Sequence, residues 1–357
     1  MKEEAMKELI ELLEQLSSCP GPPGGEEAVA DFIRQQLDPS SDIQRDGLGS
    51  LIATKEGSSK KPRIMLTAHM DEVGFMLQNI TKDGYLRLQP LGGWIASHLP
   101  GQRLYVHGSK GPVEGIVAAI PPHFSKEQKS EVKVEDLLLD VGAASEKEVT
   151  SLGLQLGDLI TPVSHFGVYN KELLANKAWD DRVGCGVLVA AMKKVRKHPN
   201  TIVAAATVQE EVGSRGAVTA VEVVKPQAAI VLEGPPADDL PGVAKDSPQG
   251  ALGKGCQIRL YDPSTIIHRR FWQWVTELAQ AKKIAHQLAV RQSGATDARA
   301  IHMAQGGIPT VVLGVPVRHA HSHSGLINLH DVQATLDLTV AILEKLDNKT
   351  FKSLLPA

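Results

Sequence analysis

Histidines and carboxylates recur in this sequence beside short apolar runs. The first pair is His69 and Asp71, which follow the apolar residues 64–66 with a spacing of two. If the backbone stays extended there, both side chains point to the same side, so that one could bind a metal ion while the other orients it. An isolated His-x-Asp pair is weak evidence, but ligands of open α/β sheets gather beyond the carboxyl ends of strands. The position of this pair therefore favours a ligand-binding site at the end of the strand.

Three further groups of acids have comparable positions. They are Asp180 with Asp181, Glu210 with Glu211, and Glu233. The last two groups end apolar runs, whereas the first precedes an apolar helical stretch, where an acidic N-cap is the ordinary structural interpretation. Both interpretations can hold, because one of Asp180 and Asp181 could bridge two cations while its neighbour caps the helix or pairs with Arg182.

Three alternate histidines, His319, His321 and His323, follow the apolar residues 310–313. Their composition is typical of metal sites, although only one need be a ligand and such histidines are as often exposed loop residues. The three cysteines are widely spaced without a CxxC pair, which argues against a thiolate zinc site and a disulfide framework. The remaining donors, imidazole and carboxylate, suit Zn²⁺, Co²⁺ or Mn²⁺.

The elements that must position these residues alternate between helix and strand. Apolar residues recur at helical spacing from Met6 to Leu16, and a Pro and Gly cluster at 20–25 ends that helix before another begins near Glu26. Apolar runs at 64–66, 202–208, 228–232 and 310–313 predict buried strands, and residues 183–197 and 269–283 predict helices. This order indicates an α/β/α sandwich in which helices cover both faces of a sheet.

The composition of the sequence changes between residues 74 and 164, where Gly and Pro residues separate short β-like segments. We predict a small β-rich, barrel-like domain inserted into the α/β domain, which then comprises residues 1–73 and 165–357. Ser145 and Glu148 form a capping-box pattern for one helix in this insertion. A set of long loops is the alternative, but ninety residues without structure would be unusual in a compact protein.

Composition limits the partners of this chain. Among its 357 residues the net charge is −3 and the signs are mixed, so no basic stripe is available for nucleic acid or an anionic membrane. Residues 1–15 are charged and lack the apolar core of a signal peptide, and no later run is long enough to cross a bilayer. We therefore expect a cytoplasmic protein without nucleic-acid or membrane partners.

Taken together, the motifs resemble those of the TET-type aminopeptidases, a tetrahedral family of dimetal exopeptidases that includes glutamyl and leucyl aminopeptidases. The similarity spans nearly the whole chain and is specific through the order and spacing of its motifs. The matching segments are residues 68–74 (AHMDEVG), 176–182 (NKAWDDR), 209–213 (QEEVG), 232–234 (LEG), 294–298 (GATDA) and 318–322 (RHAHS). The departures are Ser293-Gly294-Ala295, where the family often has a run of glycines, and the extra His319 and His323.

The resemblance implies a role for each site residue. It implies Asp180 as the bridge between two ions, His69 and Glu233 at one ion, Glu211 and His321 at the other, Glu210 as general base, and Asp71 behind His69. It also implies two divalent ions per subunit, with Zn²⁺ expected and Co²⁺ or Mn²⁺ as alternatives. The insertion resembles the dimerisation domain of the family, whose dimers assemble into a hollow homododecamer that admits short peptides.

The expected activity is removal of N-terminal residues from short peptides, and three alternatives stay open. A carboxypeptidase or deacylase would use a similar metal site. Some relatives have been called endoglucanases, but a glycosidase would use two metal-free carboxylates and would resist chelation. A scaffold protein would predict loss of a ligand or base, and no such loss is seen. The sequence does not identify the preferred N-terminal residue.

Overall fold

The computed structural model describes residues 2–38, 41–119, 123, 133–243 and 248–355. A nine-stranded mixed sheet is the centre of the larger part of the described chain. In spatial order its strands are β1 (Asp42–Arg45), β2 (Leu51–Lys55), β12 (Thr201–Thr207), β3 (Arg63–His69), β13 (Ala228–Glu233), β17 (Thr310–Gly314), β14 (Cys256–Asp262) and β15 (Thr265–Ile266), with β16 (His286–Val290) also paired to β14. The neighbours β12, β3, β13 and β17 run parallel, so their carboxyl ends lie at one edge.

Helices cover this sheet because its central strands have apolar side chains on both faces. Strands β12, β13 and β17 are buried throughout their lengths, as expected for parallel strands in an α/β protein. The helices are α1 (Lys2–Ser18), α2 (Glu27–Gln36), α4 (Trp179–Lys194), α5 (Arg215–Val224), α6 (Arg269–Ala281), α7 (Ala298–Met303), α8 (Leu329–Lys345) and α9 (Asn348–Leu354). One group packs around α4, which contacts α1, α2 and α8, and a second group joins α5 to α7. The predicted α/β class is confirmed, and the four predicted apolar runs lie in strands, except that Val208 follows the end of β12.

The second part of the described chain is a closed six-stranded barrel. Its strands, in order around the barrel, are β4 (Gly74–Ile80), β5 (Leu86–Leu91), β8 (Leu138–Asp140), β7 (Gly111–Val117), β6 (Arg103–Gly108) and β9 (Leu159–Pro162). Alternate side chains point inward and form a separate apolar core that includes Phe75, Leu88, Val106 and Ile160. The barrel-like character expected from the sequence is confirmed. Its strands run from Gly74 to Pro162, and the division of the chain at 74 and 164 stays a prediction.

One short helix of the barrel region, α3 (Glu146–Ser151), is capped by its own side chains. The Glu148 amide donates to Ser145 Oγ at 3.3 Å, while the Ala144 amide donates to Glu148 Oε2 at 2.8 Å. The predicted capping box is therefore present, except that the reciprocal bond comes from the residue before the N-cap.

A small third sheet follows the barrel in the sequence, and an aromatic contact joins the barrel to the segment after β17. A small antiparallel sheet of β10 (Gly167–Tyr169), β11 (Leu173–Asn176) and β18 (Gly325–Asn328) follows the barrel strands in the sequence. Trp94, from the segment after β5, stacks on Phe75 with ring centroids 4.8 Å apart and also contacts the His323 ring. Within the described residues, no helix is long and apolar enough to cross a membrane.

Candidate metal centre

The predicted site residues come together at the carboxyl edge of the parallel strands. Strand β3 ends at His69 and β13 ends at Glu233, while Glu210 and Glu211 follow β12 and His321 follows β17. Four neighbouring strands thus deliver side chains to one place, which is the arrangement expected when strand ends converge.

Asp180 lies between two groups of potential ligands. Its Oδ1 lies 3.1 Å from His69 Nε2, and its Oδ2 lies 3.3 Å from His321 Nε2. Glu233 Oε1 is 3.7 Å from His69 Nε2, and Glu211 Oε1 is 3.3 Å from His321 Nε2. The donor atoms of His69, Asp180 and Glu233 lie within 4.8 Å of one another, and so do those of Asp180, Glu211 and His321. Two three-residue groups therefore share one carboxylate.

Local backbone geometry separates the two adjacent aspartates. Asp180 and Asp181 have non-helical backbone angles, so regular helix in α4 begins only after them. Asp181 points away from the shared position and is fully buried, where its carboxylate accepts from the His69 amide at 3.2 Å and the Gly184 amide at 3.0 Å. The predicted capping role thus belongs to Asp181, which leaves Asp180 free to face both histidines.

Arg182 does not pair with Asp181, contrary to one of the two sequence-based options. Its buried guanidinium donates to the carbonyls of Leu16, Cys19 and Met70 at 2.6–2.7 Å. These three carbonyls come from the end of α1 and the segment after β3. Arg182, at the start of α4, is therefore bonded to both the end of α1 and the segment after His69. One guanidinium group can do this because it has five N–H donors.

Asp71 holds Glu210 and Glu211 through their main chain. The Glu210 amide donates to Asp71 Oδ1 and the Glu211 amide donates to Asp71 Oδ2, both at 2.9 Å. The next amide toward the N-terminus, that of Gln209, donates to buried Glu26 Oε1 at 3.0 Å. Burial raises the pKa of Glu26 to about 7. Sequence reasoning missed Glu26, since an acid at a predicted helix start is read as a cap.

Both candidate histidine ligands present Nε2 to the shared aspartate. His69 Nδ1 lies 3.1 Å from the Asp71 main-chain oxygen and 3.5 Å from its Oδ1, while His321 Nδ1 lies 2.9 Å from the Gly93 carbonyl oxygen. A carbonyl partner makes Nδ1 the donor, so a neutral ring keeps its lone pair on Nε2. For His69 the closer partner is thus the Asp71 carbonyl, whereas the sequence pointed to the side chain. The Gly93 contact was not predicted.

The site brings several carboxylates together in a buried environment, which shifts their pKa values. Burial opposes ionisation of Asp180, but hydrogen bonds from His321 and His69 outweigh it and hold the Asp180 pKa well below its usual range. Burial, with the charge of Asp180, raises the pKa of Glu233 to about 8, and burial raises the pKa of Glu210 well above normal. Burial disfavours the charged form of His321, yet its contacts with Asp180 and Glu211 raise its pKa to about 11. Such a cluster favours bound positive charge.

An unsatisfied ligand atom provides a test of whether metal ions fit. Glu211 Oε1 is buried and forms no hydrogen bond of acceptable geometry with any described residue, although His321 Nε2 lies 3.3 Å away. Leaving a buried carboxylate oxygen without a hydrogen bond is costly. A cation bound between Glu211, Asp180 and His321 would remove that cost, and the mixed imidazole and carboxylate donors suit a divalent ion such as zinc.

Comparison with known proteins identifies the family. A profile described as M42 glutamyl aminopeptidase matches residues 49–338. The chain belongs to the M42 family. A lysyl aminopeptidase from Pyrococcus furiosus is 32% identical over 348 residues, which cover 96% of this chain and 98% of the relative.

Two solved structures of TET peptidases have the same fold. The TET aminopeptidase of the marine sediment archaeon Thaumarchaeota archaeon SCGC AB-539-E09 has a TM-score of 0.95 and 38% identity, covering 98% of this chain and 99% of that one. The Pyrococcus horikoshii TET1 peptidase, described as able to assemble into a tetrahedron or a large octahedral shell, has a TM-score of 0.85 and 32% identity, covering 95% and 100% of the two chains. The predicted resemblance to TET-type aminopeptidases is confirmed, and the protein is an aminopeptidase-family hydrolase.

In this M42 chain, the other residues singled out from the sequence lie around the centre. His323 is buried against Trp94, and burial lowers the pKa of His323 to about 4. His319 does not join either ligand group of the described residues. Asp297, from the 294–298 motif, is buried and accepts a hydrogen bond from the Thr207 hydroxyl. The carboxylate therefore fixes the end of β12 just before the glutamate pair.

Proposed function

We propose that this M42 protein is a dimetal aminopeptidase that removes N-terminal residues from short peptides. The observation that carries the proposal is the position of Asp180, whose two oxygens face different histidines in two overlapping ligand groups. A carboxylate with one oxygen toward each group is suited to bridging two ions.

Each proposed metal ion would have its own set of ligands, with Asp180 shared between the two sets. His69, Asp180 and Glu233 would hold one divalent ion, and Asp180, Glu211 and His321 the other. When bound, the two ions supply Lewis-acid polarisation of the scissile carbonyl and lower the pKa of an attacking water. We infer that zinc is the metal, with cobalt or manganese as alternatives, because histidine and carboxylate donors serve all three.

Glu210 is the proposed general base. It lines the same cavity as Asp180, Glu211, Glu233 and His321 but belongs to neither ligand group. Among the described residues its carboxylate accepts one hydrogen bond, from Ser214 Oγ to Oε1 at 3.2 Å, which leaves Oε2 available to accept a proton from the attacking water and to pass it to the leaving amine. Asp71 would keep Glu210 in place through the amide hydrogen bond described above.

The remaining parts of the proposal concern assembly and location. The barrel would provide the dimer contact, and dimers would build a homododecamer in the cytoplasm. The support is similarity to the P. horikoshii peptidase that forms closed shells. Light scattering of the intact protein tests this part, and a monomer would contradict it.

Metal analysis tests the central claim. The purified protein should contain two divalent ions per chain, and Asp180→Ala should lose tight binding of both. As a control, Asp46→Ala removes a carboxylate that only holds a turn at residues 48–50 and a threonine, so it should keep both ions. One ion per chain in the wild type, or two in Asp180→Ala, would refute the bridging role.

A further inference from the structure

The segment that carries Glu210 is a tight turn with left-handed backbone at both of its ends. Gln209 before it has φ +57°, and Ser214 after it has φ +53°. Residues other than glycine are uncommon in this conformation, because their Cβ crowds the neighbouring carbonyl. The amides of Gly213 and Ser214 close the turn by donating to the Glu210 carbonyl, both at 2.8 Å. The turn therefore brings the Ser214 side chain close to that of Glu210.

Ser214 occupies the N-cap position of α5 without capping this helix. A serine at an N-cap usually has extended backbone and accepts a hydrogen bond from an amide of the first helical turn. In its left-handed conformation the Ser214 side chain makes no capping bond with any described residue. The residue is buried, and its hydroxyl instead donates to Glu210 Oε1 at 3.2 Å. The hydroxyl thus serves the glutamate and not the helix.

A second carboxyl group, that of Asp297, lies near the same hydroxyl. Burial raises the pKa of Asp297 to about 6, while the charge of His69 and the hydroxyls of Thr207 and Ser214 lower it. Asp297 Oδ2 accepts from Thr207, and its Oδ1 has no hydrogen-bond partner in the described chain. A serine hydroxyl has a single hydrogen to donate. Because Thr207 serves Asp297, the hydrogen of Ser214 is left for Glu210.

Glu210 needs such a partner if it is to act as a base. The terminal torsion of a glutamate side chain has no sharp preference, so an unrestrained carboxylate would take many orientations. A hydrogen bond from a buried hydroxyl to one oxygen limits that rotation. Both residues line the cavity beside the metal centre, so the effect is exerted where a substrate would bind. Catalysis depends on reacting groups that are held closely in place.

We propose that Ser214 is a positioning residue for the general base, whose hydroxyl holds Oε1 of Glu210 so that Oε2 faces the attacking water. This inference rests on the proposed aminopeptidase function and adds a residue to its mechanism. Glycine would adopt the backbone of Ser214 more readily than serine does. A residue held in a strained conformation beside a reactive group points to a role for its side chain.

Ser214→Gly distinguishes this role from a structural one. Glycine removes the hydroxyl but also relieves the left-handed backbone, so the thermal midpoint should stay at or above that of the wild type. We expect kcat on the aminoacyl p-nitroanilide that the wild type hydrolyses fastest to fall by about tenfold or more, with KM changed less than about twofold and both metal ions retained. An unchanged kcat would overturn the inference. So would a fall in kcat accompanied by a lower midpoint or by loss of a metal ion, since the role would then be structural.

Lys225→Gly is the matched control. Lys225 lies at the other end of α5, its φ is +48°, and it is exposed. Glycine there relieves the same kind of backbone conformation far from the hydroxyl in question. The thermal midpoint should again stay at or above that of the wild type, while kcat remains within about twofold. A tenfold fall in kcat in Lys225→Gly would show that a change at either end of α5 disturbs the site, and the assignment to the hydroxyl would be wrong.

A double-mutant cycle shows whether Ser214 acts through Glu210. Ser214→Ala should lower kcat by about tenfold in the wild-type background but by less than about twofold in Glu210→Gln, where no base is left to orient. Equal losses in the two backgrounds would contradict the proposal. The positioning role and the aminopeptidase function fail separately. A wild type that hydrolyses no aminoacyl p-nitroanilide would refute the function, whereas an active wild type matched by Ser214→Gly and Ser214→Ala would refute the positioning role alone.

Discussion

Replacement of Asp71 by asparagine tests how the segment that contains Glu210 and Glu211 is held in place. In the wild type the two carboxylate oxygens each accept one amide, from Glu210 and Glu211, at 2.9 Å. An asparagine offers one oxygen and one NH₂ group, so one of these amides faces another donor. We expect Asp71→Asn to fold, because the change preserves shape, but to lose the fixed position of one glutamate.

The size of the effect follows from the lost contact. A hydrogen bond to a charged group contributes about 1.5–3 kcal/mol. Taking about 2 kcal/mol and a factor of ten per 1.36 kcal/mol, the correctly placed loop becomes about thirtyfold less favoured. This agrees with the roughly 10–100-fold cost of losing a residue that supports metal ligands. We therefore expect metal affinity or kcat to fall by about that factor.

Chelator competition gives the metal affinity, and hydrolysis of an aminoacyl p-nitroanilide gives kcat. Asp46→Asn is the control, because Asp46 Oδ1 accepts three amides through one oxygen that asparagine retains. If Asp71→Asn kept wild-type values of both quantities, the carboxylate would not be what holds Glu210 and Glu211 in the working protein.

Three further changes have distinct expected results. Glu210→Gln should keep both ions and lower kcat by about 10²-fold or more, since it removes proton transfer without removing a ligand; wild-type turnover would place the base elsewhere. Glu233→Asp retracts the carboxylate by roughly 1.5 Å, which exceeds the tolerance of about 0.2 Å on a metal–oxygen distance. A metal titration should therefore show one site weakened and the other intact. Equal weakening of both sites would refute the assignment. Arg182→Met leaves three buried carbonyls without a donor, should cost about 3–5 kcal/mol, and should lower the thermal midpoint by roughly 4–7 °C in calorimetry; an unchanged midpoint would contradict the structural role.

Much of the fold and the candidate ligand set could be predicted from the sequence. Buried parallel strands appear as apolar runs, and the edge where they end is fixed by topology, so the positions of His69, Glu211 and Glu233 followed from short-range patterns. The order and spacing of the motifs along the chain were needed to add Asp180 and His321 to the predicted set of ligands. These residues share the property that their neighbours in the sequence reveal where they must lie.

Contacts between distant loops could not be predicted in the same way. Arg182 was expected to pair with its neighbour, but its fork reaches three carbonyls that only the folded chain assembles. The cavity beside the metal centre is lined by Arg259 and Arg299, which come from two segments far apart in the sequence. Arg299 directly follows the motif at residues 294–298, and this position is the signal that could have drawn attention to it.

The contact between Gly93 and His321 links two parts of the chain that have separate apolar cores. The preceding Gly92 has φ +91°, and a Cβ there would lie 2.7 Å from Val73 Cγ1 and 3.2 Å from Glu211 Cβ. The barrel is therefore not an interchangeable module. A chimera that received the barrel of a relative would have to reproduce the path of this glycine pair to within a few tenths of an ångström. A barrel deletion made to study assembly would also remove the carbonyl that faces His321 Nδ1 in the proposed metal centre. Substitutions in the barrel are therefore constrained wherever they would move Gly92 or Gly93.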